Sequence, residues 1–251
     1  MKTLITLLII STQALFAITS VAPVEIGDDV GLHTKVEVSL ETKRGNTDKD
    51  NYKASLRVTY DSNASYAMWA EVSGEYGQTS TVEDTNKLYS HVRYIHKITE
   101  EVVRAEVFAQ LQKDEYKLIQ ERAVTGAGAR FRIFDLFGKG KGYAGIGGLF
   151  ERIDYIQNTY ANPSEENIRL NSYLAYSIDF GEKSSFSYTF YYQPLYNDIN
   201  DYVGTHDAEL KLPIHKNLYL KVALSYNADS KPPLGVKGYD FTQETALMLK
   251  F

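Results

Sequence analysis

From about residue 31 to the C-terminus, apolar and polar side chains alternate with a period of two, the spacing of an extended strand and not the 3.6 of a helix. In Leu218 to Tyr226 the even positions are all apolar or aromatic, while Lys221 and Ser225 fall on the other face. Phe186 to Tyr192 repeats the rule. So does Lys35 to Glu41, where Val36, Val38 and Leu40 oppose Lys35, Glu37, Ser39 and Glu41, and so does Tyr52 to Tyr60, where Ala54, Leu56 and Val58 oppose Lys53, Ser55, Arg57 and Thr59. This pattern predicts twelve segments, near 31–43, 50–61, 64–77, 86–98, 101–114, 120–134, 142–157, 167–180, 184–195, 202–213, 217–228 and 239–251. Each is about twice the length of an ordinary globular strand and long enough to cross a bilayer when tilted.

The connections alternate as well. Longer loops are expected at Gln78 to Asn86, Asn158 to Asn167 and Ala228 to Gly238, and tight turns at Asp61 to Asn63, Gly181 to Lys183 and His215 to Asn217. Asp135 to Lys141 is longer than its place among the turns requires. An even number of long strands with short turns on one side and longer loops on the other predicts an all-β, closed, antiparallel, up-and-down transmembrane barrel of about twelve strands, residues 31–251, with both termini on the periplasmic side. The ending Ala246 to Phe251, an alternating strand that stops at a terminal aromatic, reads as the signal taken by outer-membrane assembly machinery, with Phe251 as its key residue. The start, Lys2 followed by Leu4 to Ile10 and then Ala14 to Ala17, reads as a signal peptide over 1–17, cleaved after Ala17 or Ala22. Residues 18–30 follow as a short periplasmic segment. No later stretch approaches the ~18 uninterrupted apolar residues of a spanning helix.

Composition narrows the function. A net charge of −5 argues against a nucleic-acid partner, and the absence of cysteine removes disulfides, thiolate metal sites and cysteine nucleophiles. Twenty tyrosines against one tryptophan and 11 phenylalanines supply amphipathic rings for belts where hydrocarbon meets water. The expected partners are therefore outer-membrane lipid, lipopolysaccharide and the barrel assembly machinery.

If the apolar face meets lipid, the polar face lines the lumen, and charges there avoid a costly lipid contact. Lys35, Glu37, Lys53, Arg57, Glu71, Glu75, Arg93, Arg104, Glu106, Arg130, Glu151, Arg169, Asp179, Lys221 and Glu244, with Glu209 and Lys211, are the candidates. Two readings stay open: an ion-pair network that stiffens and fills the barrel, or a narrow hydrophilic path whose mixed charges choose the solute.

Sites of other kinds are weaker. Gly45 to Asp48 is turn chemistry. The acidic run Tyr196 to Asp201 lacks the glycine and distal glutamate of a calcium loop and reads as a solvated loop. Gly126, Gly128, Gly145, Gly147 and Gly148 do not follow phosphate-cradle spacing and read as points of strand curvature. No metal and no cofactor is expected. A phospholipase-like hydrolase would need a histidine and a serine on one face, but none of His33, His91, His96, His206 and His215 has a serine two residues on, and Ser90 and His91 point to opposite faces. A non-enzymatic barrel is expected, with that hydrolase and a soluble periplasmic ligand-binding barrel, its apolar face turned inward, as alternatives.

Several segments together resemble the YdiY-like salt-induced outer-membrane protein family. They are Gly45 to Asp48 after an alternating strand, Arg122 to Gly128, Gly145 to Gly148 with Glu151 and Arg152, and the closing stretch from Leu218 with Asn227, Asp229, Pro232, Pro233 and Thr242. The resemblance spans about 31–251 and implies an outer-membrane barrel without assigning an activity.

Overall fold

A computed structural model describes residues 26–27, 29–43, 49–99, 102–134, 140–156, 164–181, 183–232 and 237–250. Twelve strands close into one ring: β1 (Gly31–Lys43), β2 (Lys49–Asp61), β3 (Tyr66–Thr79), β4 (Val82–Lys97), β5 (Val103–Asp114), β6 (Ile119–Phe134), β7 (Gly140–Tyr155), β8 (Ser164–Phe180), β9 (Ser184–Leu195), β10 (Asp198–His215), β11 (Leu218–Asp229) and β12 (Tyr239–Lys250). Every strand pairs antiparallel with its sequence neighbours, and β1 closes on β12 from Lys35 opposite Lys250 to Val38 opposite Leu247. One 3₁₀ turn, Glu115–Lys117, interrupts the strand order. Among the described residues no helix is long and apolar enough to cross a membrane. The signal segment, Gly45 to Asp48 and Phe251 lie outside the described residues.

Register fixes which side chain faces which way. Leu56 stands opposite Val36 and Val72, Val92 opposite Ala70 and Ala109, and Leu224 opposite Ala208, so apolar positions line up on one surface around the ring. That surface is exposed: Leu56, Val72, Val92, Val107, Leu170, Leu174 and Leu224 all leave 40% or more of themselves uncovered. The opposite surface holds the buried charges Arg93, Arg104, Glu106, Arg122, Arg130, Glu151 and Arg169. This is the polarity of a transmembrane barrel, and it reverses that of a soluble ligand-binding barrel.

Strand boundaries depart from the expected ones where hydrogen bonding runs past the apolar stretch. Gln78 to Asn86 is no long loop: β3 and β4 stay paired until Thr79 meets Val82, and only Ser80 and Thr81, both at positive φ (51° and 68°), make the turn. Tyr196 to Asp201 is not a solvated loop either. Its last four residues begin β10, Asp201 pairs with Arg169 at 2.9 Å, and Asp198 pairs with Lys231 at 2.8 Å.

Tyrosine serves both faces. Tyr60, Tyr66 and Tyr94 lie ring against ring in series (5.9 and 5.6 Å) outside the end that carries the termini, and Tyr226 and Tyr239 (6.2 Å) outside the opposite, distal end. Six others, Tyr89, Tyr143, Tyr155, Tyr173, Tyr191 and Tyr219, are buried in the lumen, so the tyrosine surplus is not explained by belts alone. The chain preceding β1 folds against the terminal opening: Ile26 packs with Ala67 and Ile95, the Gly27 amide donates to Asp61 (2.7 Å), and Asp29 pairs with Lys250 (2.5 Å).

The outward polarity predicts an asymmetric response to charge. Val107→Arg is expected to destabilise the folded barrel by about 2–4 kcal/mol, as arginine does when it faces the hydrocarbon midplane. Urea titration of the protein reconstituted in lipid vesicles measures it.

Candidate functional site: a lumen packed on one side and hollow on the other

The packed half is built by β4 to β9. Arg93 on β4 approaches Glu106 on β5 (3.4 Å) and lies over the Phe108 ring, while Arg130 on β6 lies over Tyr143 on β7. Two tyrosines then cross the lumen. The Tyr173 hydroxyl on β8 donates to Glu106 at 2.7 Å, and Tyr191 on β9 bonds Arg93. Tyr143, Tyr173 and Tyr191 form one buried cluster with Ala175, and Phe108, Val124 and Leu149 form a second beside it. His91 is sealed into the same mass, tilted on Trp69 (4.2 Å), with Nδ1 bonded to the Tyr89 hydroxyl (2.7 Å) and the Gln110 amide (2.9 Å).

Glycine makes this packing possible. A Cβ on Gly145 would stand 2.0 Å from the Tyr173 ring, and one on Gly126 would stand 2.4 Å from the Phe108 ring. These two positions are therefore clearances for aromatic rings, a different role from the curvature expected of them. Gly147 and Gly128 do bring β6 and β7 backbones together, since a Cβ on Gly147 would lie 2.2 Å from the Ala127 carbonyl oxygen.

Towards the distal end a charge ladder ties four strands. Glu151 on β7 accepts from Arg122 on β6 through Nε (2.7 Å) and from Arg169 on β8 (3.0 Å), and Arg169 continues to Asp201 on β10. Gln193 donates to Asn171 beneath it (2.8 Å). Beside the ladder the 3₁₀ turn is capped by Asp114, which accepts from the Tyr116 and Lys117 amides (both 3.2 Å), and Lys117 is buried near Asp240. Burial pushes the Lys117 ammonium below its ordinary pKa, against the upward pull of Asp114.

The other half of the lumen is hollow. A cavity of about 190 Å³ runs along β1 to β4, from Lys35 near the terminal end to Lys87 near the distal end. Lys35, Glu37, Lys53, Arg57, Glu71, Glu75, Glu209 and Lys221 line it, with Ser55, Ser73 and Tyr89. Most of these charges are paired: Lys221 with Glu37 and with Glu244 (2.9 Å), Lys53 with Glu244, Arg57 with Glu71 (3.9 Å) and Lys87 with Glu75 (4.0 Å). Arg57 also lies 4.1 Å over Trp69 and so forms the wall between hollow and packed halves.

The candidate charges thus fall into three groups. Lys35, Glu37, Lys53, Arg57, Glu71, Glu75, Glu209, Lys221 and Glu244 belong to the hollow half, and Arg93, Arg104, Glu106 and Arg130 to the packed half. Glu151 and Arg169 belong to the ladder. Asp179 is exposed at the terminal rim, and Lys211 faces Tyr219 (5.8 Å). Sequence reasoning missed Arg122, Lys87, Asp201, Asp114, Lys117 and Asp240. The first two carried the inward parity of their strands, whereas Asp201 was hidden by reading its segment as a loop. No group of three or more metal-ligating side chains occurs among the described residues.

The model of the family described as "Protein of unknown function, DUF481" matches residues 36–251. The chain belongs to this family. No curated protein matches the sequence. Among solved structures, the chain is similar to an outer-membrane channel of the COG4313 group from Pseudomonas putida F1 (TM-score 0.52, 12% identity, 91% of this chain and 100% of that one). It is also similar to the translocator domain of the autotransporter NalP from Neisseria meningitidis (0.47, 10%, 89% of each) and to the NanC porin (0.47, 12%, 88% and 98%). At such identities the likeness to the channel concerns the fold: this DUF481 member has the barrel architecture of outer-membrane proteins.

The ladder makes a sharp prediction. Glu151→Gln leaves Arg122 and Arg169 facing each other without their shared carboxylate, and a loss of about 3–5 kcal/mol is expected, as for a buried pair stripped of one partner. Denaturant midpoints of the purified barrel measure it, with Arg152→Gln as an exposed control expected within ±0.5 kcal/mol.

Proposed function

We propose that this DUF481 protein resides in the bacterial outer membrane and conducts small hydrophilic solutes through the hollow half of its lumen, without catalysis. The observation that carries this reading is the division of the lumen. A barrel that served only as a rigid stake would gain from filling its interior, yet here one half is closed by ring and guanidinium packing while the other keeps a cavity lined by charged side chains of β1 to β4. Paired charges along a narrow path hold water and solute without leaving a bare ion buried.

The exposed apolar band supports contact with lipid, with lipopolysaccharide as the outer-leaflet partner and the assembly machinery as the route of insertion. The resemblance to the YdiY-like salt-induced proteins supports an envelope role. His91 supports a non-catalytic reading, because its ring is enclosed by Trp69, Phe108 and Tyr89, and Ser90 lies on the lipid face. No cofactor is invoked.

Conductance of the purified protein in planar bilayers tests the proposal. A small, steady conductance is expected, and Tyr173→Ala, which removes a ring that crosses the lumen, is expected to raise it several-fold. Absence of conductance in both forms contradicts the channel, and fatty-acid release from phospholipid that is lost in His91→Ala contradicts the non-enzymatic reading.

A further inference from the structure

Charge along the hollow half is balanced pair by pair except at its terminal end. Lys53 and Lys221 are matched by Glu37 and Glu244, Arg57 by Glu71, and Lys87 by Glu75. Among the described residues Lys35 enters no ion pair, although it lines the cavity and is partly buried. Its surroundings are mainly cationic: Arg57, Lys211 and Lys250 all face it, and Glu209 and Asp29 are the carboxylates that offset them.

Two of those neighbours are already neutralised. Arg57 is held by Glu71, and Lys250 is held by Asp29 at 2.5 Å. Lys35 and Lys211 remain against Glu209, with Asp29 shared between Lys35 and Lys250, which leaves one positive charge in excess at the terminal end of the cavity. A partly buried ammonium without an ion-pair partner, facing other cations, favours a counter-ion beside it. The cavity beside it has room for a small anion.

We propose that Lys35 is the anion-binding position of the lumen, taking a small monovalent anion such as chloride or the carboxylate of a small organic acid, and that it gives the path its ion preference. The selectivity part of this inference rests on the conduction reading, whereas the binding part does not.

Two measurements on the full mature barrel separate them. In planar bilayers under a potassium chloride gradient, the reversal potential is expected to show chloride favoured over potassium by about fivefold, the size of one unmatched charge at several ångströms in a partly polar wall. Lys35→Gln is expected to abolish that preference and Lys35→Glu to invert it, with both variants still showing heat-modified gel migration as proof of folding. In detergent, chloride-35 NMR is expected to show saturable excess line broadening with the wild type, competed by acetate and lost in Lys35→Gln.

A conducting barrel whose reversal potential ignores both substitutions overturns the selectivity assignment. Equal broadening by wild type and Lys35→Gln overturns the binding site. Broadening that depends on Lys35 in a barrel that never conducts leaves the anion site standing and removes only the channel.

Discussion

Hydrocarbon offers a backbone no hydrogen-bond partner, and that constraint organises everything else in this chain. Twelve strands can lie in lipid only if each N–H and C=O is taken up by a neighbouring strand and the first strand meets the last. Closure, in turn, gives every residue a fixed side. Residues of one parity must be compatible with acyl chains, and residues of the other parity must be satisfied among themselves inside.

The interior solves its half of the problem in two ways. Where β4 to β9 face one another, bulky rings and guanidinium groups fill the space, and glycine at 126 and 145 clears room for Phe108 and Tyr173. Along β1 to β4 and the adjoining β11 and β12, lysine–glutamate pairs border a gap. The hydrogen bond from Tyr173 to Glu106 links strands three apart in the ring and holds the dense side in place. Conduction, on the account proposed above, is a consequence of uneven filling and needs no moving part.

Much of the architecture was legible because a period of two is a local signal. The ends of β1 and β9 are those expected from alternation alone, since Lys43 precedes a turn sequence and Ser184 follows Gly181, a residue at φ 60°. Reading failed where hydrogen bonding outruns hydrophobicity, as at Gln78 to Asn86 and Asp198 to Asp201, because polar residues at the distal end of a strand pair as well as apolar ones. Lumen contacts were illegible for a different reason. Tyr173 and Glu106 are 67 residues apart, and whether they meet depends on the stagger of three successive strand pairings, which no single segment encodes. Parity could say that Lys35 faces inward, but only the closed ring shows that its neighbours are cations.

Adjacent residues on one strand give the most direct test of the side assignment, and the chain has no cysteine to interfere. Ser55 lines the cavity and Leu56 is exposed on the outer surface. Single cysteines at these positions would be labelled with an environment-sensitive fluorophore in vesicles carrying a quencher on the lipid acyl chains. Strong lipid quenching at 56 and little at 55 is the predicted result. Quenching at 55 with protection at 56, or equal quenching at both, would contradict the account.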